Sequence, residues 1–221
     1  MSEKITAWSF SRYNLYQQCP GKAKLMYIDK LKEPTSDAML NGTKKHKELE
    51  DWLKGYAPLP SWMHPSLMEF CTRLLTLKPA AELEVAFNKD WQPVDWFAKD
   101  AWARIKIDAL ARTGTHVEIL DWKTGKVREG TYDEQLELYA LTAMLMFPNA
   151  ETFNTTLVFV DHGIVVRGDQ FVKADKDMLL KRWMARVDIM LSDTEFRYTP
   201  NQYCRNCWFR RANGTNTCDA A

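Results

Sequence analysis

The stretch Val117-Glu-Ile-Leu-Asp-Trp-Lys-Thr-Gly125 decides the fold of this chain of 221 residues. Its apolar residues predict a buried strand, which Thr124 and Gly125 bring to an end. Because successive side chains of a strand point to opposite sides, Asp121 and Lys123 should lie on the same side. A carboxylate and an ammonium are costly to desolvate at the end of a buried strand, so the pair favours a joint role.

Two roles fit this pair of charges. In metal-assisted phosphodiester cleavage, Asp121 would hold Mg²⁺ or Mn²⁺, and Lys123 would orient the attacking water or offset the phosphate charge. In the structural alternative, the two residues form an ion pair where the sheet runs into a turn. The Asp-x-Lys pattern alone does not separate these roles, so the surrounding motifs have to decide.

A period of two in the surrounding residues predicts three consecutive strands, at 82–87, 100–110 and 116–123. Asp108 falls near the end of the middle strand and should lie close to Asp121 on the next one. Glu82 and Glu84 would add carboxylates to a metal site, but they are more simply strand residues. A helix follows at 132–147, then strands at 155–160 and 164–167 and a helix at 174–191.

The residues before the first strand predict helices at 12–18, 22–30, 37–55 and 65–77. In the third of these, Gly42, His46 and Glu50 follow one another at intervals of four and share one face. A neutral His46 ring could bind a metal, although a lone helical histidine is also common as a structural residue.

The lack of a signal core and of a membrane segment predicts a cytoplasmic protein, in a bacterium or in the host cell if a phage encodes it. The chain start lacks an apolar signal core, and no stretch approaches the ~20 apolar residues of a membrane helix. The formal net charge of +1 means that any nucleic-acid surface must be local. There is no P-loop sequence.

Five cysteines in such a compartment point to metal binding rather than to disulfides. Cys204 and Cys207 have the Cys-x-x-Cys spacing of metal ligands, and Cys19 and Cys218 can complete four thiolates. Such a set suits an iron–sulfur cluster or zinc. Cys71 lies within a predicted helix and is expected to be a core residue.

Taken in order, these motifs resemble the PD-(D/E)xK nuclease superfamily, in particular its RecB-like branch with the CRISPR-associated iron–sulfur exonucleases. The resemblance spans nearly the whole chain. The matching pieces are Ser9-Phe-Ser11 to Cys19-Pro20, Gly42-x-x-x-His46-x-x-x-Glu50, Ile107-Asp-Ala109, Ile119-Leu-Asp-Trp-Lys-Thr-Gly125, Gln135-x-x-x-Tyr139 and the cysteine-bearing tail.

The resemblance implies an α/β fold with a restriction-endonuclease-like core, in which helices flank a central mixed β-sheet. It implies that Lys123 is the catalytic lysine and that a Mg²⁺ or Mn²⁺ site includes the backbone carbonyl of Trp122. The side chains implied as metal ligands are His46, Asp108 and Asp121. Gln135 and Tyr139 would line the DNA path.

The same resemblance implies a [4Fe–4S] cluster held by the four cysteines outside the helix, with structural Zn²⁺ as the alternative. The ten residues between Cys207 and Cys218 form a longer gap than is usual in the family. The centre would clasp the helical N-terminal part to the C-terminal tail.

We therefore expect one RecB-like nuclease domain over residues 1–221. Its parts would be a mainly helical segment at 1–78, the catalytic sheet and helix at 79–170, and a helix with the metal-binding tail at 171–221. The expected function is a metal-dependent DNA exonuclease acting on single strands or duplex ends, in recombination, repair or phage DNA metabolism. A helicase or recombination protein would be its partner. The alternatives are a structure-specific endonuclease and a non-catalytic DNA-end-binding assembly protein.

Overall fold

The computed structural model describes residues 4–125, 127, 132–210 and 217–218. Parts of the sequence predictions that fall at 1–3, 126, 128–131, 211–216 or 219–221 lie outside these residues. No helix within the described ranges is both long and apolar enough to cross a membrane.

Four helices precede the first strand and a sheet with two further helices follows. The early helices are α1 (Phe10–Gln18), α2 (Pro20–Tyr27), α3 (Asp37–Leu53) and, after a short 3-10 helix at Pro65–Leu67, α4 (Met68–Thr76). The strands are β1 (Ala80–Phe87), β2 (Pro93–Val94), β3 (Ala103–Thr113), β4 (His116–Lys123), β5 (Thr152–Phe159) and β6 (Ile164–Val172). The later helices are α5 (Asp133–Met146) and α6 (Lys176–Ser192), and a 3-10 helix follows at Gln202–Asn206.

The six strands form one mixed sheet in the order β2-β1-β3-β4-β5-β6. Only β4 and β5 pair in parallel, and α5 connects them, as a parallel pair requires a crossover. The sheet and its helices confirm the predicted α/β, restriction-endonuclease-like architecture.

The two faces of the sheet bury two separate apolar clusters. Along β4, Val117 and Ile119 face the cluster that includes α5 and α6, whereas Leu120 and Trp122 face the cluster with α3 and α4. Helices therefore cover both faces, which explains why this strand is a nearly continuous apolar run. Asp121 belongs by alternation to the α5 side.

The N-terminal helices and the C-terminal tail are held together by direct contacts. The N–H of Gly21 donates to the carbonyl of Arg197 at 3.1 Å, and Nδ2 of Asn201 donates to the carbonyl of Gln18 at 2.7 Å. A Cβ on Gly21 would lie 2.3 Å from the ring of Tyr198, so only glycine fits against this ring. These contacts join the two ends of the chain as expected.

The boundaries of several elements differ from the sequence predictions. β3 begins at Ala103 rather than at 100, because the N–H groups of Ala98 and Ala101 close turns on Asp95 and Ala98. α2 ends at Tyr27, and Lys30 has a φ of 60°, which a helix does not allow. β6 extends to residue 172, well beyond the predicted end at 167.

Candidate active site

The end of β4 brings Asp121 and Lys123 together as their spacing predicts. Nζ of Lys123 lies 2.7 Å from Oδ2 of Asp121 and donates to Oε1 of Gln135 at 2.7 Å. It also lies 4.9 Å from the centre of the Tyr132 ring. The Asp121 side chain is 5% exposed and the Lys123 side chain 17%, so the ammonium is the more accessible partner.

Helix α5 fixes the second oxygen of Asp121. The hydroxyl of Tyr139 donates to Oδ1 of Asp121 at 2.8 Å, and Nε2 of Gln135 approaches the same oxygen at 3.2 Å. Burial and the charge of Asp121 raise the pKa of Tyr139 well above its usual range, so its hydroxyl remains a donor. The four-residue spacing of Gln135 and Tyr139 places both on the face that meets β4. Their predicted role in DNA binding stays a prediction.

Asp108 lies beside Asp121 on the neighbouring strand. The antiparallel register pairs Ala109 with Leu120. One residue further along each strand, Asp108 therefore lies opposite Asp121. Oδ2 of Asp108 accepts the N–H of Trp122 at 2.7 Å. This hydrogen bond locks the two strand ends together, and the metal-binding role of the Trp122 carbonyl stays a prediction.

Helix α3 adds His46 to the same place. Its Nδ1 lies 3.4 Å from Oδ1 of Asp108. Burial acts to lower the pKa of His46, but the hydrogen bond and charge of Asp108, with Asp121 and Glu82, outweigh it and raise the pKa. The ring therefore lies in a strongly negative environment.

Glu82 also lies here, a residue that the sequence analysis considered as an added carboxylate ligand but interpreted more simply as a strand residue. Within the described ranges, His46, Glu82 and Asp108 form the group of three metal-ligand side chains whose ligand atoms all lie within 4.8 Å of one another. Asp121 pairs with Lys123 and accepts hydrogen bonds from α5, and its predicted role as a metal ligand stays a prediction. Glu82 also pairs with Lys106 of β3. Its strand neighbours gave no motif that would distinguish it from Glu84.

The segment after β4 is held in place from two sides. The N–H of Gly125 donates to Oδ2 of Asp161 at 3.2 Å, and the other oxygen of Asp161 pairs with Lys45 of α3. A Cβ on Gly42 would lie 3.1 Å from Oγ1 of Thr124, so Thr124 packs closely against α3 at this glycine. These contacts keep α3, and with it His46, against the end of β4.

The charges of this site are unbalanced in a way that suits a divalent cation. Burial raises the pKa of Asp121, and the charge of Asp108 opposes its ionisation further, while Lys123 acts in the other direction. Three carboxylates and one imidazole face two lysines. Carboxylate oxygens with one imidazole are a donor set that Mg²⁺ or Mn²⁺ accepts. The residues present therefore fit a divalent metal.

The cysteines occupy a different part of the molecule. Cys19, Cys204, Cys207 and Cys218 line one small cavity between α1, α2 and the tail. Sγ of Cys19 accepts the N–H of Lys22 at 3.4 Å as it caps α2. Cys71 lies in α4 within the apolar core, where burial raises the pKa of its thiol to about 11.

Comparisons with known proteins place the chain in a family. A family model described as the PD-(D/E)XK nuclease superfamily matches residues 102–212, about half of the chain, including Asp108, Asp121 and Lys123. A search of curated proteins found no match.

Two solved structures resemble the fold. The crystal structure of SSO0001 has a TM-score of 0.46 at 14% identity and covers 100% of this chain and 89% of that one. The crystal structure of a "Putative exonuclease" from Eubacterium rectale has a TM-score of 0.51 at 11% identity and covers 93% of this chain and 88% of that one. Nucleases of the matched superfamily use divalent metals, in agreement with the donor set at the strand ends. The sheet topology and the match across both of its central strands lead to one conclusion: this chain belongs to the PD-(D/E)XK nuclease superfamily.

Proposed function

We propose that this protein is a metal-dependent deoxyribonuclease of the RecB-like branch, with its active site at the ends of β3 and β4. The observation that carries the proposal is the meeting of His46, Glu82 and Asp108 beside the Asp121–Lys123 pair. A purely structural ion pair between Asp121 and Lys123 would not require three further acidic or imidazole side chains in the same place.

Divalent metal would be held by His46, Glu82 and Asp108, with Asp121 beside them. A bound divalent ion would supply Lewis-acid stabilisation of the charge that develops on the phosphate. Asp108 also fixes the backbone of Trp122, so its removal would disturb both metal binding and the strand end.

Lys123 has the contacts of a group that positions a reactant. Its ammonium is held by Asp121 and Gln135 and retains a third N–H donor for water or a phosphate oxygen. Tyr139 and Gln135 orient Asp121 and thereby the ammonium, so we assign them as positioning residues.

We infer that DNA ends are the preferred substrate. The support is the resemblance of the ordered motifs to end-processing nucleases, together with the description of the similar Eubacterium rectale protein as a "Putative exonuclease". A requirement for an end separates this proposal from the endonuclease alternative, which the same residues would serve equally well.

The experiment uses one single-stranded sequence in linear and covalently closed circular form, with Mg²⁺, Mn²⁺ or a chelator. The linear strand should be degraded only with a divalent metal, and the circle should survive. Asp108→Asn, purified in parallel, controls for contaminating nuclease. Digestion of circles at the linear rate would make the protein an endonuclease, and inert linear DNA under all conditions would refute the nuclease proposal.

We also propose that Cys19, Cys204, Cys207 and Cys218 hold one [4Fe–4S] cluster. Their common cavity supports a shared centre. The choice of an iron–sulfur cluster over zinc rests on the resemblance of the ordered motifs to the iron–sulfur exonucleases. The cluster would have a structural role, since the cavity does not include the catalytic residues.

A further inference from the structure

A second cavity opens beside the active site and shares two of its residues. It has a volume of about 390 Å³ and lies between the start of α1, β3 and the loop that carries Trp96. Gln135 and Tyr139 form part of its wall, and both contact Asp121. A molecule in this cavity would therefore be separated from Asp121 by one side chain.

Two arginines line this cavity without a carboxylate partner. Nη1 of Arg12 donates to the carbonyl of Ala7 at 2.8 Å, and Nε of Arg104 donates to the carbonyl of Trp96 at 2.8 Å. Within the described ranges neither guanidinium forms an ion pair with a carboxylate. Each guanidinium is thus held in place by a backbone oxygen, while most of its five N–H donors have no acceptor among the described residues.

The two positive charges also oppose each other. Burial lowers the pKa of Arg12, the nearby Tyr27 acts to raise it, and the charge of Arg104 lowers it again. Both side chains are only partly exposed, so water screens this repulsion incompletely. By contrast, Lys106 lines the same cavity but is neutralised by Glu82. An anion between the two guanidinium groups would remove the unfavourable charge balance.

We propose that Arg12 and Arg104 bind one phosphate group of the DNA strand, next to the phosphate group that lies at the active site. This inference rests on the proposed function, since it describes where the same DNA strand binds beyond Asp121. A guanidinium presents a planar set of donors that matches phosphate oxygens. The cavity lies within the ~300–1,000 Å³ range of clefts for small ligands, which leaves space for a nucleotide beside the phosphate.

The test measures binding rather than cleavage. Binding of an internally labelled single-stranded oligonucleotide is followed by fluorescence anisotropy in a chelator, at several salt concentrations. Arg104→Gln and Arg12→Gln should each weaken binding about tenfold, and the slope of log affinity against log salt should fall by about 0.7. Thermal unfolding of each variant establishes that it is folded. If one of the two variants fails to fold, the other alone is sufficient for the binding test.

Arg112→Gln is the matched control. Arg112 also lies on β3, donates through Nε to the carbonyl of Gly114 at 3.0 Å and sits 5.5 Å from the centre of the Phe147 ring, but it is exposed at the far end. Its replacement should leave binding unchanged. Wild-type affinity in both cavity variants, or an equal loss in Arg112→Gln, would overturn the proposal.

Three oligonucleotides identify the source of the phosphate: one with a 5′-phosphate, one with a 3′-phosphate and one with hydroxyls at both ends. An equal loss with all three supports an internal phosphodiester, and a loss confined to one phosphorylated end supports a terminal phosphate. The two proposals fail separately. Arginine-dependent binding by a protein that never cleaves DNA would refute only the nuclease, and metal-dependent cleavage with unchanged binding in both variants would refute only the phosphate site.

Discussion

Glu82 holds a backbone conformation that residues other than glycine rarely adopt, at the point where the candidate ligand atoms meet. Its φ of 53° lies in the left-handed region, which costs roughly 1–2 kcal/mol for an L-residue. The register of β1 and β3 pairs Ala81 with Ala109 and Leu83 with Ile107, and Glu82 falls between these pairs, opposite Asp108. Such strain is typical of positions that a site holds in place for its chemistry.

We predict that Glu82→Gln weakens the binding of Mn²⁺ by about tenfold or more, because a neutral amide replaces a charged ligand. Calorimetric titration of the DNA-free protein with Mn²⁺ measures this without reference to activity. Glu84→Gln is the control, since Glu84 lies two residues away on the same strand and is exposed. Equal Mn²⁺ affinity in wild type and Glu82→Gln would remove Glu82 from the ligand set.

For individual residues, the sequence predicted which side chains of a strand face the same way better than it predicted which residues belong to the site. The period of two in β4 was sufficient to predict that Asp121 and Lys123 face the same way, and the contact at 2.7 Å confirms it. Glu82 was interpreted as a strand residue rather than as a ligand because its place beside Asp108 depends on a left-handed φ and on α3 packing over β1. Neither the left-handed φ nor the packing of α3 can be predicted from the residues next to Glu82 in the sequence.

At the scale of elements, Asp161 connects the β5–β6 turn to both α3 and the segment after β4. Desolvation acts to raise the pKa of Asp161, but the Lys45 ammonium and the Gly125 N–H lower it below the usual range of an aspartate. A depressed pKa means that the carboxylate stabilises the fold at pH values above the pKa of an unfolded aspartate, and that this contribution is lost as the pH falls through the lower folded-state pKa.

We predict that Asp161→Ala lowers the free energy of unfolding by about 1–2 kcal/mol at pH 7, because it removes a partly buried ion pair and a hydrogen bond. Urea unfolding at a series of pH values measures the difference from wild type. The difference should narrow as the pH falls below about 4, where the wild-type carboxylate becomes protonated. A difference that is independent of pH would show that the Asp161 charge does not stabilise the fold.

The same scale explains which strands the sequence predicted. β1 has apolar residues on alternate positions, β4 is a nearly continuous apolar run, and both strands were placed to within two residues. β2 has only two residues and therefore no period to detect. The last residues of β6 include Gly168, Asp169 and Gln170, because an edge strand that is largely exposed needs no apolar pattern.

At the scale of the whole molecule, the cysteine cavity joins residues from the two ends of the chain. Cys19 precedes the sheet, and Cys204 follows α6. A metal centre bound by both would close a loop of nearly the whole chain, so it should stabilise the entire fold rather than a local segment.

We predict that protein purified without oxygen contains iron and sulfide in equal amounts, and that Cys204→Ala loses both and unfolds at a lower temperature. Metal analysis and thermal unfolding measure the two effects. Cys71→Ala should keep its metal, because Cys71 lies in the other core beside α3. Zinc without iron would agree with a metal centre that joins the two parts of the chain but would refute the iron–sulfur cluster. The absence of any metal from anaerobically purified protein would refute both the metal centre and the cluster.

The sequence predicted which cysteines come together, and they line one cavity, but it did not predict the residues around them. The Cys-x-x-Cys spacing identified Cys204 and Cys207, whereas the approach of Tyr198 to Gly21 and of Asn201 to Gln18 depends on how the tail returns across α1 and α2. Contacts between residues so far apart in the chain have no local signal.

The central claim is that Asp121 and its neighbours cleave DNA, and one comparison of rates tests it most directly. Cleavage of end-labelled linear DNA with Mn²⁺ is measured for wild type, Asp121→Asn and Glu118→Gln, the last being a carboxylate on the same strand that pairs with His116 away from the site. Each protein is first shown to be folded by its thermal unfolding. We predict that Asp121→Asn loses at least about a hundredfold in rate while Glu118→Gln stays within about twofold of wild type. A folded Asp121→Asn protein that digests DNA at the wild-type rate would contradict the account.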